Sequence, residues 1–383
     1  SRATYEAVRL RDAALLLANA EDTTNTNITL TAREVTTEVP IVAIASDDDA
    51  IDILELAGST HVLPLRRSLG EHLANRANAG PFRAHVIGRY RDLLIAEFAA
   101  QNTPLAGRTV RETNLRAATG VSIVGYWERG RMHSVGADTK ITHTSVVVVI
   151  GNVSQIDALN ELLAIYDVND NPVVVIGGGK VGRSAARALR EEGIAVHMVE
   201  RNPALKPSLE GIPNKLVIGD ASDRQVLREA GLQDAPSVIL TTHDDAMNIY
   251  LAVYCRRLNP KLQIISRVTH ERNIEAMHRA GADLVLSYDA LGVESVLSIL
   301  QRRELTVLGA GFHLFFIPVP PSLVGKTLSE GGIGARTGMT VVAIQKDGEA
   351  VTNPPPEARL EAGGELILLG SEAQRERFAE VYG

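Results

Sequence analysis

One stretch of this chain is written twice. AALLLANAEDTTNTNITLTAREV (residues 13–35) and PSVILTTHDDAMNIYLAVYCRRL (236–258) align without a gap. A shift of 223 positions carries Leu17 to Leu240, Asp22 to Asp245, Asn25 to Asn248 and Arg33 to Arg256. The same shift carries IVAIA (41–45) onto IISRV (264–268) and AGSTHVL (57–63) onto AGADLVL (280–286). An internal repeat constrains a fold more than composition does, because each copy has to be the same supersecondary unit. Here each copy reads strand, helix, strand, helix, strand. Apolar runs of four or five residues alternate with helical patterns, which is how a parallel sheet with crossover helices is written.

A second pair lies downstream of the first. PLAGRTVRETNLRAATGVSIVGYWERG (104–130) matches SLVGKTLSEGGIGARTGMTVVAIQKDG (322–348) at a shift of 218, with Gly107 on Gly325, Gly120 on Gly338 and Gly130 on Gly348. By Gly151 and Gly370 the shift has become 219. Each of these copies reads as a small module of a strand, a short helix, strands joined by turns and a terminal helix. The expected fold class is therefore α/β: two Rossmann-like parallel-sheet domains, each followed by a small α+β C-terminal subdomain. The expected boundaries are 1–79, 80–168, 169–304 and 305–383, and the turn-forming YDVNDNP (166–172) marks the central join. Three strands precede the repeated part in the second copy, at 173–176, 194–199 and 215–218. The first copy has none of them, so its sheet is read as truncated at the N-terminus and the chain as a piece of a longer protein.

The three extra strands carry the clearest chemical signal. VVVIGGGKVGRSAARALREEGIAVHMVERN (173–202) places Gly177, Gly179 and Gly182 between an apolar strand and a helix, with Glu200 closing the next apolar run. In such a turn the first glycine allows the sharp bend and the second admits a pyrophosphate to the backbone. The third lets helix and strand pack closely, and the helix N-terminus then offers unpaired N–H groups to the phosphates. Glu200 can accept hydrogen bonds from a ribose hydroxyl, and its charge favours NAD(H) over a 2′-phosphorylated cofactor, an inference that the adjacent Arg201 weakens. GDASD (219–223) would sit near base or ribose, and TTHDD (241–245) would line the cleft at the strand ends.

Other readings narrow the function. A net charge of −7 and 4% aromatic residues argue against nucleic acid, which calls for a basic face and stacking platforms. A single cysteine, Cys255, excludes a disulfide framework, fits a reducing compartment and reads as a buried small hydrophobe. SVVVVIG and LILLG are too short to span a bilayer and read as core strands. No secretory signal opens the chain, so a soluble cytoplasmic protein is expected. SDDDA (46–50) reads as Ser46 capping a helix with Asp47, Asp48 and Asp49 in its first turn, in preference to a Ca²⁺ site. VGKT (324–327) resembles the end of a phosphate loop but has Pro320 where that loop needs glycine. Glu275 and His278, at i, i+3, read as a solvated helix face. His243 and His270 are the only acid–base candidates, and no catalytic constellation forms around them. No catalytic or metal-ligating residue is assigned.

Taken together, VVVIGGGKVG, Glu200, GDAS, LTTHDDAMN, ISRV and AGADLVL, followed by LVGKTL, TGMTVVAI and ILLGS, resemble the RCK family (regulators of K⁺ conductance, TrkA-type domains) in two tandem copies across the whole chain. The resemblance implies a nucleotide-contacting set of Gly177, Gly179, Lys180, Val181, Gly182, Glu200, Asp220 and Thr241. Their neighbours Arg201, Ala221, Thr242 and His243 complete the candidate site. It implies a regulatory region at the cytoplasmic face of the membrane, attached either to a potassium channel pore, the favoured reading, or to a Trk-type uptake transporter. It also implies self-association of tandem chains into a tetrameric ring. NAD(H) is the favoured ligand, ATP or ADP the alternative, and Ca²⁺ a further candidate without a full motif. A rival of another class, an NAD-dependent oxidoreductase, would need a unique substrate domain, whereas here that place is taken by a duplicated module.

Overall fold

The structure is a computed structural model that describes residues 1–77, 84–100, 103–128, 131–133, 135–143, 145–164, 171–301 and 312–383. The expected boundaries at 79, 168 and 304 fall outside these residues, as does most of the join at 166–172.

The second copy contains a six-stranded, wholly parallel sheet. Its strands are β9 (Val173–Ile176), β10 (Val196–Glu200), β11 (Lys215–Ile218), β12 (Ser237–Leu240), β13 (Gln263–Val268) and β14 (Leu284–Ser287), ordered β11-β10-β9-β12-β13-β14. VVVI is apolar at every position and SVIL at all but Ser237, whose hydroxyl donates to Gln263, because both sheet faces are covered, and all four residues of each are buried. The chain leaves β9 on one side and returns on the other at β12, so the order reverses between these two strands. The first copy contains the three-stranded parallel sheet β1 (Leu16–Ala18), β2 (Ile41–Ile44) and β3 (His61–Leu63).

The repeat read from the sequence extends to individual hydrogen bonds. Asn25 donates to the Ile44 carbonyl as Asn248 does to that of Arg267. Arg33 donates to the Gly58 carbonyl as Arg256 does to that of Gly281. The Asp22 carboxylate accepts from the Ser46 and Asp47 backbone, and Asp245 accepts from that of Thr269 and His270. The asparagine and aspartate contacts tie the helix after one strand to the end of the next, and the arginines tie that helix to the turn before the strand after it, so the same polar residues serve the same purpose in both copies.

Each sheet domain is followed by an antiparallel sheet. In the first copy β4 (His85–Tyr90), β5 (Leu93–Ala99), β6 (Ser122–Glu128), β7 (Arg131–His133) and β8 (Val146–Gly151) run in the order β4-β5-β8-β6-β7. In the second, β15 (Phe312–Pro318), β16 (Thr340–Lys346), β17 (Glu349–Thr352) and β18 (Glu365–Ser371) run β15-β18-β16-β17. The 218-residue shift holds here too. Thr109 with Glu112, and Thr327 with Glu330, form the same capping box. Thr327 is thus a helix cap, which accounts for VGKT. The same irregularity recurs at Ile123/Gly125 and Val341/Ala343.

The two copies pack on each other. The helix Leu65–Ala74 of the first copy lies along Lys180–Glu191 of the second, burying Leu65, Leu69 and Leu73 with Val181, Ala185 and Leu189 in one core. Gly70 makes this approach possible, since a Cβ there would come within 2.5 Å of the Val181 carbonyl oxygen. The antiparallel sheets also meet: Thr340 donates to the Val124 carbonyl and Ser122 to Asn353.

Two local expectations need correcting and a third, the burial of Cys255, holds. Ser46 is not a helix cap; Asp47 takes that place without a side-chain capping bond. Its backbone N–H and that of Ser46 are already held by Asp22, so the loop is fixed from behind. His278 is buried and bonds the Ala282 carbonyl, while Glu275 pairs with Arg279, so the two do not share a solvated face. Cys255 is buried, and burial pushes its thiol up to about 12.

Burial, and then the nearby Arg76 charge, push His72 and His85 down to about 4. An unfolded chain binds a proton at each near 6.5, so the folded state loses stability as pH falls from about 6.5 towards 4. Denaturation midpoints between pH 7 and 4.5 are expected to decline, and to decline less in a His72→Gln, His85→Gln double variant. An equal slope in both proteins would assign the acid sensitivity to other groups.

Candidate functional site

A cleft of about 480 Å³ opens at the carboxyl ends of β9, β10, β11 and β12. This is where a doubly wound sheet leaves room for a ligand, at the reversal of strand order. Gly177 leaves β9 with φ +109, a conformation that disfavours any side chain. A Cβ on Gly182 would stand 1.9 Å from the Gly177 carbonyl oxygen, so this glycine seats the helix against the turn. Gly179 differs from both. A Cβ there meets nothing within 4 Å, so its open side faces the cleft, and it caps the N-terminus of the helix Lys180–Glu191.

Glu200 ends β10 buried beneath the loop. Its carboxylate accepts from the backbone N–H of Gly178 at 2.6 Å and of Asn202 at 2.7 Å. It therefore shapes the turn as well as presenting acceptors to the cleft. Asp220 accepts from the backbone of Ser222, which draws its carboxyl below the ordinary range, with Arg201 adding to the effect. Thr241 donates from its hydroxyl to the Ile176 and Gly177 carbonyls, each at 3.0 Å, and so stitches β12 to the glycine turn. Thr242 donates to Asn248 at 2.6 Å.

Of the twelve residues singled out in the sequence, eleven line this one cleft: Gly177, Gly179, Lys180, Val181, Glu200, Arg201, Asp220, Ala221, Thr241, Thr242 and His243. Gly182 lies behind the turn. Sequence reasoning missed Gly178, Arg183 and Met247 in the lining, and more consequentially Arg66 and Arg267. Arg267 sits inside the apolar run IISRV, 4% exposed, and donates to Thr269. Its Nε finds no acceptor among the described residues, so an acceptor entering the cleft meets a donor already stripped of water. Arg66 comes from the first copy, and no pattern in the second could have announced it.

The acid–base candidates are kept apart. His243 lies in the cleft, where burial and then Arg267 and Arg66 push its pKa down, so it is neutral at pH 7. His270 pairs instead with Asp289 at 3.0 Å. Among the described residues no group of three or more His, Cys, Asp or Glu side chains could hold a metal ion, and no helix is long and apolar enough to cross a membrane. The arrangement can hold an anionic nucleotide, with helix N–H groups and cations at one end and carboxylates for ribose at the other.

The chain matches the TrkA-N domain over residues 1–64 and 173–288, and the TrkA-C domain over 95–164 and 312–383. A crystal structure of the GsuK RCK domain is 33% identical, with all of this chain and 83% of that one aligned and a TM-score of 0.66. The GsuK channel bound to NAD is 34% identical over 96% of this chain, with a TM-score of 0.62, and the chain spans 66% of its length. Potassium channel protein 1 of Methanocaldococcus jannaschii is 24% identical over 54% of this chain and 66% of its own length. The chain thus spans just under two thirds of the channel proteins it matches. Trk system potassium uptake proteins are also among its relatives.

Proposed function

We propose that this chain, which belongs to the RCK family and carries its TrkA-N and TrkA-C domains in tandem, is the nucleotide-sensing regulatory region of a potassium channel, on the cytoplasmic side of the membrane. The observation that carries the reading is the cleft itself, which gathers a glycine turn, a helix N-terminus, Glu200 and four arginines at the reversal point of a parallel sheet. NAD(H) is the favoured ligand. The GsuK channel bound to NAD aligns over 96% of this chain, and Glu200 disfavours a 2′-phosphate. ADP or ATP is the alternative, since the adenosine diphosphate half would make the same contacts. A subunit of a Trk-type uptake transporter is the second reading of the partner; the GsuK channel, aligned over 96% of the chain, favours the first.

The ligand would act as a signal. Both antiparallel modules are copies of one unit, matched twice by the TrkA-C domain, and neither is a dedicated substrate domain. Binding then shifts a population between two arrangements of paired lobes, by no more than the difference in affinity for the two. Equivalent positions on both copies leave large apolar side chains exposed, Leu30 and Val253, and Ile53 and Leu56 of the first copy are exposed as well. Such faces suit burial against further copies in a ring of four tandem chains.

Calorimetric titration with NAD⁺, NADH, ATP and ADP, with and without Ca²⁺, tests the reading. It should give tight binding by at least one nucleotide and no hydride transfer in a turnover assay. Turnover would replace the regulator by an oxidoreductase. A monomeric mass by light scattering at all concentrations would remove the ring.

A further inference from the structure

The phosphate end of the cleft is not built by the second copy alone. Arg66, the second residue of the helix Leu65–Ala74, lines it beside Gly179, Lys180 and Arg183. Lys180, inside the glycine turn, is already engaged across the interface. Its ammonium lies 2.5 Å from the Asp47 carboxylate and donates to the Ser46 carbonyl at 3.0 Å. Arg66 donates to the same carbonyl at 3.5 Å. The bond from Lys180 holds the Asp47 carboxyl below the ordinary range, and the Lys180, Arg66 and Arg183 charges add to it.

These contacts are held in place from both sides. Asp22 fixes the Ser46–Asp47 backbone, and the packed helices are pinned where Ser184 donates to the Arg67 carbonyl at 2.8 Å. The 223-residue shift shows that this arrangement belongs to one copy only. It carries Asp47 to His270 and Arg66 to Asp289, and those two residues close on each other at 3.0 Å. In the first copy the same two positions reach across to Lys180 and the cleft.

We propose that the first copy completes and tunes the nucleotide site of the second: Arg66 adds a cation for the phosphates, while Asp47 competes with them for the Lys180 ammonium. The inference rests on the nucleotide reading and deepens it. A phosphate that draws Lys180 away from Asp47 removes a contact between the copies, so occupancy of the cleft and the fit between the lobes become one equilibrium. The competition grows with phosphate charge, so it bears more on ADP than on NAD⁺.

The test uses the complete chain, calorimetry with ADP and with NAD⁺ at one low ionic strength, and two variants of opposite expected sign. Arg66→Gln should weaken ADP about tenfold, as expected for loss of a charge-assisted contact to phosphate. Asp47→Asn should tighten ADP by about threefold or more, and NAD⁺ by less, because it frees Lys180 and removes a like charge. Both variants should melt within a few degrees of the parent, since Asp47 is exposed and such pairs hold little of the fold. If the parent binds and both variants stay within twofold of it, Arg66 and Asp47 are bystanders and this inference falls while the nucleotide reading stands. If Asp47→Asn weakens ADP, Asp47 positions Lys180 and does not compete for it, and the inference is again overturned. A parent that binds neither nucleotide overturns both readings.

Discussion

Replacing Gly179 by aspartate abolishes nucleotide binding and leaves the fold intact. The backbone at this position has φ −69, open to any residue, and a Cβ there meets nothing within 4 Å. Aspartate is moreover a favoured residue at a helix N-cap, where its carboxylate accepts from the first N–H groups. Those are the N–H groups that would otherwise meet a phosphate, so the new side chain occupies the anion site from within. Two like charges about 4 Å apart at an effective dielectric near 20 repel by about 4 kcal/mol. Loss of at least about a hundredfold in affinity follows from two thirds of that figure. Calorimetry and a thermal melt on the same sample decide the matter. Retained affinity in a folded variant would move the site away from the glycine turn. Gly182→Ala is the wrong variant for this purpose: its Cβ would collide with the Gly177 carbonyl, so lost binding would report only a displaced helix.

Glu97→Ala destabilises the first copy by about 3 to 5 kcal/mol, the usual cost of removing one partner from a buried ion pair. Glu97 interrupts the otherwise apolar β5, and its carboxylate lies 2.5 Å from Nε of Arg76, both side chains 3% exposed. Arg76 follows the helix Leu65–Ala74, so this pair ties the interlobe helix to the antiparallel sheet behind it. The substitution leaves a guanidinium charge in that interior without its carboxylate. Denaturant unfolding should show an earlier transition, and a double change to Arg76→Met with Glu97→Leu should recover most of the loss. A cost below about 1 kcal/mol would mean that water reaches the guanidinium in the variant.

The parts of this molecule legible in its sequence are those where one local rule decides. VVVI and SVIL had to be central parallel strands because nothing polar alternates in them, and Gly177, Gly179 and Gly182 each answer a separate steric demand. The duplication disclosed the second sheet and its partner without reference to any contact. What stayed hidden lies between elements. Asp47 read as one of three acids in a helical turn, yet its carboxylate is spent on Lys180, 133 positions away in number and in another copy. Arg66 carries no periodic signal of the cleft it enters, because periodicity reports which face of a helix is buried and not what charge faces its first turn. Arg267 was masked by the apolar run around it, and His278 by an exposed-looking i, i+3 pattern that tertiary packing overrode.

The exchange of charge at two equivalent positions has a consequence for which lobes can face each other. If a second-copy lobe took the first copy's place beside another second-copy lobe, Asp289 would stand where Arg66 does, and the phosphates would meet a carboxylate. Lobes of the first kind bring the arginine but not the glycine turn in the residues present here. Among those residues the mixed pair brings the arginine and the glycine turn to one cleft, so under the proposal these two residues favour pairing unlike with unlike. Covalent linkage enforces that pairing by stoichiometry. Wherever one chain goes, the cleft of its second copy arrives with the first copy's arginine already beside it.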